Sequence, residues 1–326
     1  MLAELDRVTR VKRELFIRGL VPASPPAAVA RQLVKLMREH SLPAGAVLYD
    51  RGAKATEAYF LVDGSVELVG DGDDRWRFEK GAVLGMLDCS IQRPHERRAV
   101  ALTDVDVLAI NAEEWMDVFA ENLGYTRIVR EELGRMQHRA VLLTAPGGGY
   151  GPRELTPEEA LEVGVLEGSM VDRVVALRSS LHMETATVQS LFELAARSEI
   201  VRAARGERAL DPGGAAERMF VVVAGLVEVE RAGDPVVRAS FGPGDLVLGG
   251  VSLAGLLNEY SMTARTDALL LSFRASDLDD VTEDHFDLAR SMFRGISLDR
   301  VRVMAAQARL LRRPPSEPAR GTTKGP

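Results

Sequence analysis

Histidine, cysteine and acidic side chains would carry any metal or nucleophile chemistry in this chain of 326 residues. Asp88 and Cys89 stand shortly before His95, which suggests an activated thiol, yet no third group that would orient the histidine is evident. No nucleophile elbow or kinase motif is present either. The histidines lack the spacing of metal ligands and stand at His40, His95, His138, His182 and His285. We therefore expect a buried structural cysteine, no catalytic residue, no metal site and no enzymatic activity.

A glycine-rich run, PGGGYGP at Pro146–Pro152, is the next candidate because such loops can cradle a phosphate. A phosphate loop lies between a strand and a helix and has a lysine at a fixed spacing, and no such lysine follows this run. The composition is typical of a flexible connection. We interpret the run as part of a linker between two domains.

An internal repeat identifies the elements that must position any remaining site. YFLVDGSVELV at Tyr59–Val69 returns as MFVVVAGLVEV at Met219–Val229, and Gly225 follows Gly64 by 161 residues. Alternating apolar and polar residues on either side of Asp63-Gly64 predict a β-hairpin with a two-residue type I′ turn. Thr-Asp at 103–104 returns at 266–267. A repeat of this length is a whole domain, so we predict two copies of one β-rich domain.

Helical spacing surrounds each β-rich copy. Residues 1–20 carry one apolar stripe, which predicts a helix packed on its own domain; a dimerisation helix is the alternative. The closing helix is rich in arginine, and the polar tail after it is predicted to be disordered. The predicted boundaries are an N-terminal helix at 1–26, a first domain at 27–143, a linker at 144–170, a second domain at 171–313 and a tail at 314–326.

The order of motifs resembles the cyclic-nucleotide-binding domain family. PAGAVLYDRG, YFLVDGSVEL, KGAVLGML and AVALTDVDVLAI follow one another in the first copy, and RGERALDPGG, FVVVAGLVEV, FGPGDLVLGG and TARTDALLLSF follow in the second. The resemblance implies a mainly β fold with flanking helices. It consists of two jelly-roll or double-stranded β-helix barrels, each with N- and C-terminal helices. In the family, the helix after the barrel relays ligand occupancy to whatever the domain regulates.

The resemblance also implies where a ligand would bind. The family's phosphate cassette has Phe-Gly-Glu, a small apolar run and then Pro-Arg-Ala-Ala, in which the glutamate accepts from the ribose hydroxyl and the arginine holds the phosphate. In the first copy Gly85 fits the glycine, Met86 replaces the glutamate and His95 replaces the arginine. The candidate ligand-binding residues of this copy are Gly85, Met86, Leu87, His95, Arg97 and Arg98, the last two as substitutes or as exposed strand charges.

The second cassette departs further from the family pattern. Gly249 or Gly250 fits the glycine, no glutamate follows, and Leu257 and Asn258 replace the proline and arginine. Arg265 is either an anion partner or a surface strand residue. The apolar run of this cassette is interpreted as core, with Val251, Leu253, Leu256 and Leu257 as its members.

Composition limits the class of partner. The net charge of −7 is unfavourable for a protein held by DNA phosphates, and too few residues follow the second copy for a winged helix-turn-helix. One cysteine, no signal-like N-terminus and no apolar run of membrane length predict a cytoplasmic protein without a membrane span. We expect no certain cofactor, with cAMP or cGMP as candidates.

The sequence thus favours a non-enzymatic regulatory or adaptor protein that acts through an unidentified protein partner, with nucleotide binding lost or altered. The sequence leaves undecided whether the chain forms a homo-oligomer. The alternatives are a live sensor of a cyclic or other anionic nucleotide and, behind it, a DNA-binding regulator. The cassettes decide between the first two, because a phosphodiester needs a cation or free N–H groups at its site.

Overall fold

The computed structural model describes residues 12–19, 23–144, 168–233 and 236–311. Most of the predicted linker and the whole predicted tail lie outside these residues, as do residues 1–11 of the predicted N-terminal helix. Residues 12–19 are helical (α1), and Ile17 is fully buried in the first domain's core, so this segment packs on its own domain.

Within the described residues, the first domain has a short helix, eight strands and three further helices. Its elements are α2 Ala27–Leu36, β1 Arg38–Leu42, β2 Val47–Tyr49, β3 Glu57–Asp63, β4 Ser65–Val69, β5 Arg75–Glu79, β6 Val83–Leu84, α3 Met86–Ile91, β7 Arg98–Ala101, β8 Val105–Asn111, α4 Ala112–Glu121 and α5 Leu123–Thr144. Asn111 caps α4, since its side chain accepts hydrogen bonds from the backbone N–H groups of Glu113 and Glu114.

The second domain repeats this order after two helices. Its elements are α6 Met170–Ser179, α7 Val188–Arg197, β9 Glu199–Ala203, β10 Arg208–Leu210, β11 Arg218–Ala224, β12 Val227–Arg231, β13 Val237–Phe241, β14 Leu246–Val247, α8 Gly249–Leu253, β15 Tyr260–Ala264, β16 Ala268–Arg274, α9 Ala275–Asp284 and α10 Phe286–Leu311. Ser169 and Asp172 form a capping box that starts α6, and Thr187 caps α7.

Each domain consists of two antiparallel four-stranded sheets. The first domain has the strand orders β1-β8-β3-β6 and β2-β7-β4-β5, and the second has the matching orders β9-β16-β11-β14 and β10-β15-β12-β13. Buried side chains of both sheets meet in one core, as Leu61 and Val107 of one sheet pack with Val66 and Ala99 of the other. The predicted two-copy jelly-roll fold is confirmed, although the described strands form open sheets and no closed barrel.

The predicted hairpin at Asp63-Gly64 is wrong. β3 pairs with β6 and β8, whereas β4 pairs with β5 and β7, so the chain crosses from one sheet to the other at this point. Only Gly64 has a positive φ, at 86°, whereas a type I′ turn needs two such residues. A Cβ on Gly64 would lie 2.3 Å from the carbonyl oxygen of Asp104. Glycine is therefore required by the crossing itself.

The same crossing is built twice from the repeated Thr-Asp pair. The N–H of Ser65 donates to Thr103 Oγ1 at 3.0 Å in the first domain, and the N–H of Leu226 donates to Thr266 Oγ1 at 2.9 Å in the second. Gly225 has a φ of 84°, and a Cβ there would lie 2.1 Å from the carbonyl oxygen of Asp267. The repeated residues thus hold the corner at which the two sheets join.

The long helices pack reciprocally between the domains. α5 of the first domain contacts α8 of the second, α10 of the second contacts α3 of the first, and the two long helices contact each other. Phe293 of α10 lies in the first core, 5.4 Å from the ring of Phe119, and Leu133 of α5 packs against the second core. Gly134 permits the close approach to α8, because a Cβ there would lie 2.9 Å from the carbonyl oxygen of Gly250.

Candidate functional site

The first cassette forms a sharp turn from β6 into α3. Gly85 has a φ of 76°, and a Cβ on it would lie 2.9 Å from the carbonyl oxygen of Glu57 and 3.3 Å from Cε1 of His95. Met86 and Leu87 follow in the first turn of α3 and are partly buried. The structure therefore places Gly85 beside His95, and Met86 and Leu87 follow Gly85 directly along the chain.

A carboxylate of the chain itself lies beside His95. Nδ1 of His95 is 3.1 Å from Oδ2 of Asp88, and Nε of Arg93 donates to Oδ1 of Asp88 at 2.7 Å. His95 is buried, and its ring stacks on Tyr49 with the ring centroids 3.8 Å apart. Burial opposes ionisation of Asp88, but the hydrogen bonds from His95 and Arg93 outweigh it and hold the pKa of Asp88 below its ordinary value. A negative charge therefore already stands at the residue that replaces the family's arginine.

The two arginines that could substitute for the missing one have partners elsewhere. Arg97 donates to Asp74 at 2.8 Å, and its guanidinium lies 5.0 Å from the ring centroid of Trp76. Arg98 is half exposed and lies 3.0 Å from a carboxylate oxygen of Asp50. Neither side chain is directed to His95 by these contacts.

Cys89 is buried, as predicted, and its thiol donates to the carbonyl oxygen of Glu57 at 3.3 Å. Burial, with smaller contributions from the nearby Asp88 and Glu57 carboxylates, raises the pKa of Cys89 to about 12. A raised pKa disfavours the thiolate, which is the nucleophilic form of cysteine. No group of three or more metal-ligating side chains occurs among the described residues.

The second cassette offers no cation to a phosphate within the described residues. Gly249 and Gly250 begin α8, and Gly250 faces α5 across the contact with Gly134. Arg265 is half exposed and lies 3.2 Å from Glu228 Oε2. Asn258, at the position of the family's arginine, is buried and donates to the carbonyl oxygen of Asp211 at 2.8 Å.

The apolar run of this cassette is core only in part. Val251 and Leu253 are buried, but Leu257 is 71% exposed, so its assignment to the core is wrong. Leu257 forms an isolated bridge with Ala215 on the rim of the sheet, as Pro94 does with Lys54 in the first domain. A residue on this rim carries its side chain toward solvent, which spacing within an apolar run does not reveal.

A cavity of 330 Å³ lies in the second domain, between its sheet and the two long helices. Gly249 and Gly250 of the second cassette line it, together with polar side chains of both domains that the sequence analysis did not assign to a site. These side chains include Gln137 and His138 on α5, His182 before α7, Asp245 before β14, and Asp299 and Arg302 on α10.

Strand register explains why this space is open in the second domain. Val66 pairs with Phe78 as Val227 pairs with Phe241, so Trp76 in the first domain corresponds to Ala239 in the second. A methyl group therefore lines the cavity at the position where the first domain has an indole.

Comparisons with known proteins agree with this architecture. Residues 39–122 match the family model described as the cyclic nucleotide-binding domain. The lysophospholipase nte1 of Neurospora crassa is 22% identical over 267 residues, and the match covers 76% of this chain but only 16% of that relative. No described helix combines the length and apolar character needed to cross a membrane.

Two solved structures are similar over most of the chain at low identity. One is the regulatory subunit of a cAMP-independent protein kinase A from Trypanosoma brucei, with 13% identity, 92% of this chain and 96% of that chain covered, and a TM-score of 0.33. The other is the regulatory domain of Toxoplasma gondii PKA with cAMP, with 12% identity, 84% and 92% covered, and a TM-score of 0.32. The family match lies within the first domain, and the second domain repeats the strand order of the first.

Proposed function

We propose that this protein is a non-enzymatic regulatory or adaptor protein that acts on a protein partner, and that neither domain binds a cyclic nucleotide in the family's usual pose. The observation that carries the proposal is the Asp88 carboxylate, held beside His95 by the histidine and by Arg93. A phosphodiester placed there would meet a like charge at short range, which is unfavourable in a partly buried site.

The rest of the two cassettes supports the same proposal. Met86 cannot accept a hydrogen bond from a ribose hydroxyl, and Asn258 gives no charge to a phosphate. The candidate arginines Arg97, Arg98 and Arg265 are engaged in ion pairs with Asp74, Asp50 and Glu228 respectively. Both cassettes therefore retain the family's backbone turn while lacking the groups that read the nucleotide.

The lysophospholipase activity named for the fungal relative is not part of the proposal. The chain matches only 16% of that protein, so the activity of the whole relative does not carry over to it. We propose instead that the partner is a protein. A role in binding duplex DNA is disfavoured by the net charge of −7 and by the pairing of Arg290 and Arg294 on α10 with Glu113 and Glu184.

Calorimetric titration of the full chain with cAMP and with cGMP, at pH 7 and physiological salt, tests the proposal. We expect no binding heat and no thermal shift at millimolar ligand. Micromolar binding that is lost in Arg97→Ala or Arg98→Ala would contradict it, because a rebuilt phosphate site would then exist in the first domain.

A second candidate function, a sensor of a different ligand, is favoured by one observation. The second domain retains a cavity whose wall includes residues of both domains. Cavities of a few hundred Å³ are the usual size of small-molecule sites.

A further inference from the structure

We propose that α6 and α7 form a dimerisation surface, on which a second copy of this chain docks through the same two helices. The surface, called the α6–α7 face, is the solvent side of both helices and is centred on Val171, Val175, Val188 and Phe192. The proposal goes beyond the proposed function, which does not depend on the oligomeric state. The apolar character of the face, its absence from the first domain and the direction of the two helices favour this occupant.

Exposed apolar side chains are concentrated on these two helices. Val171 and Val175 on α6 are 71% and 60% exposed, and Val188 and Phe192 on α7 are 64% and 51% exposed. They are four of the nine large apolar side chains that are exposed among the described residues. Each pair is spaced by four residues, which places both members on one side of its helix. Single exposed apolar residues are common, whereas a group of them marks an interaction surface.

The buried sides of the helices fix the direction of the exposed sides. Leu177 of α6 and Leu191 of α7 are fully buried in the core of the second domain. Arg173, in the first turn of α6, donates to the carbonyl oxygen of Ser198, directly after the end of α7, at 2.7 Å. α6 therefore begins beside the end of α7, and the two helices run antiparallel. The α6–α7 face is a fixed part of the second domain.

The first domain shows that the fold does not require apolar residues on this face. α2 and α7 begin 161 residues apart, at the offset of the repeat, and their four buried positions coincide at that offset. At the exposed positions, Ala27 corresponds to Val188 and Arg31 corresponds to Phe192. Since the equivalent helix has an arginine on its solvent side, the core of the second domain does not explain the phenylalanine. A contact outside the domain does explain it.

The direction of the helices suits a symmetric contact. Two antiparallel helix pairs that meet face to face form a four-helix arrangement, which buries one apolar side of each helix. In a two-fold dimer both copies use the same patch, so like charges must stay away from its centre. Arg178 and Arg197 lie near the C-terminal ends of α6 and α7, and hence at opposite ends of the face. A second copy can therefore cover the apolar centre without burying a charge.

The charges at the rim of the face give little preference for a charged partner. Arg197 lies 3.9 Å from Glu193, which also contacts His285 at 2.8 Å. Glu184, in the turn between the helices, pairs with Arg294 at 2.7 Å. These pairs leave few charges to attract a strongly acidic or basic protein, whereas an apolar face of the same kind complements the centre.

The size of the face sets the expected affinity. Two helices of ten residues present a face of about 15 by 20 Å, since a helix rises about 1.5 Å per residue and is about 10 Å across. An interface of this size is at the low end of specific protein contacts, below about 1,200 Å² in total. We therefore expect a reversible dimer with a Kd in the micromolar range rather than an obligate one.

Sedimentation equilibrium of the full chain, from about 1 to 100 µM at pH 7 and physiological salt, tests the proposal. We expect a monomer–dimer equilibrium that is not weakened at about 0.5 M salt, because an apolar contact is not screened. A chain that stays monomeric at about 100 µM would overturn the proposal. Oligomers that grow beyond a dimer, or a dimer that dissociates in high salt, would overturn it as well.

Two variants on different helices locate the contact. Phe192→Arg introduces the residue that the first domain has at this position, and it should weaken the dimer by at least about tenfold. Val175→Lys should have an effect of the same size and serves alone if Phe192→Arg fails to fold. Leu257→Arg is the matched control, because Leu257 is 71% exposed in the same domain but lies outside the α6–α7 face, and the Kd should stay within about twofold.

The stability of the variants separates a second copy from the chain itself as the group that covers the face. The Phe192→Arg monomer should keep the urea midpoint of the wild-type monomer, because an exposed side chain contributes little to its own domain. A large loss of stability in this monomer would mean that the chain itself covers the face, and would overturn the proposal. A dimer unchanged in both Phe192→Arg and Val175→Lys, or weakened equally in Leu257→Arg, would overturn the proposed location.

Discussion

The two domains have the same fold and differ in the side chains at equivalent positions. In the first, Tyr49, His95 and Asp88 form a stacked and hydrogen-bonded group beside the cassette, and an indole stands on β5. In the second, the equivalent of His95 is Asn258, tied to the backbone of Asp211, and the strand position of the indole carries a methyl group. The turns and corners of a fold can thus be retained while the side chains at equivalent positions of the two cassettes diverge.

The largest expected effect concerns the shared corner. Gly64→Ala and Gly225→Ala should each cost about 3 kcal/mol or more of unfolding free energy, because strain at a positive φ adds to a clash with a backbone carbonyl. The measurement is the midpoint of urea unfolding for each variant.

Gly45→Ala is the matched control, because Gly45 has a φ of 83° but nothing lies within 4 Å of the position that a Cβ would take there. It should lower the free energy of unfolding by only about 1–2 kcal/mol, because only the strain of the positive φ remains. Equal costs at Gly45 and Gly64 would show that the clash at the corner is relieved by small movements. A much smaller cost at Gly225 than at Gly64 would show that the two corners are not equivalent.

A smaller effect is expected at the Asp88 carboxylate, which only the first domain has. Asp88→Asn should destabilise the protein by about 2 kcal/mol at pH 7, since His95 loses its carboxylate partner and Arg93 keeps only Glu96. The folded-state pKa of Asp88 lies below its ordinary value, so its contribution is present above the ordinary carboxyl pKa and is lost as the pH falls through the folded-state pKa.

Urea midpoints of wild type and Asp88→Asn, measured at pH 7 and again near pH 3, check this prediction. The difference between the two proteins should be large at pH 7 and should shrink at the lower pH. Asp71→Asn serves as the control because Asp71 forms its ion pair with Arg51 at the exposed surface. A difference between wild type and Asp88→Asn that stays the same at both pH values would contradict the assigned role of this carboxylate.

The smallest effects are expected at the arginines that resemblance alone made candidates. Arg98→Ala and Arg265→Ala remove exposed ion pairs in the first and second domain, and each should change the unfolding free energy by about 0.5 kcal/mol or less. Thermal unfolding of the two variants measures this. A loss at either position as large as that of Asp88→Asn would mean that the side chain has a structural or binding role that its contacts do not show.

The sequence could predict the fold because the residues that make it are local and occur twice. Gly64 and Gly225, with the Thr-Asp pairs that follow, fix the corner in each copy by short-range contacts. The same local pattern misled the interpretation of strand pairing. Asp-Gly between two alternating runs is typical of a hairpin, and nothing in the run itself states that its two strands join different sheets.

The open cavity could not be predicted from the cassette, because its wall is assembled from distant segments. Gln137 comes close to Asp299 only when α5 packs on α10, and an amphipathic helix does not specify its partner by spacing alone. The sequence does not distinguish His182 from the other four histidines, and only the fold shows that it lies against Gly295. Contacts between domains decide this site, and such contacts leave no periodic pattern in the sequence.

The reciprocal packing of α5 and α10 has a consequence for assembly. Each long helix docks on the opposite domain, so the two halves relate to each other as the subunits of a dimer do, but they are joined in one chain. Covalent connection replaces a concentration-dependent encounter by a high effective concentration, and dilution does not separate the halves. A dimer of identical subunits must change both copies of a pocket at once, whereas a fused pair can change one pocket and keep the other.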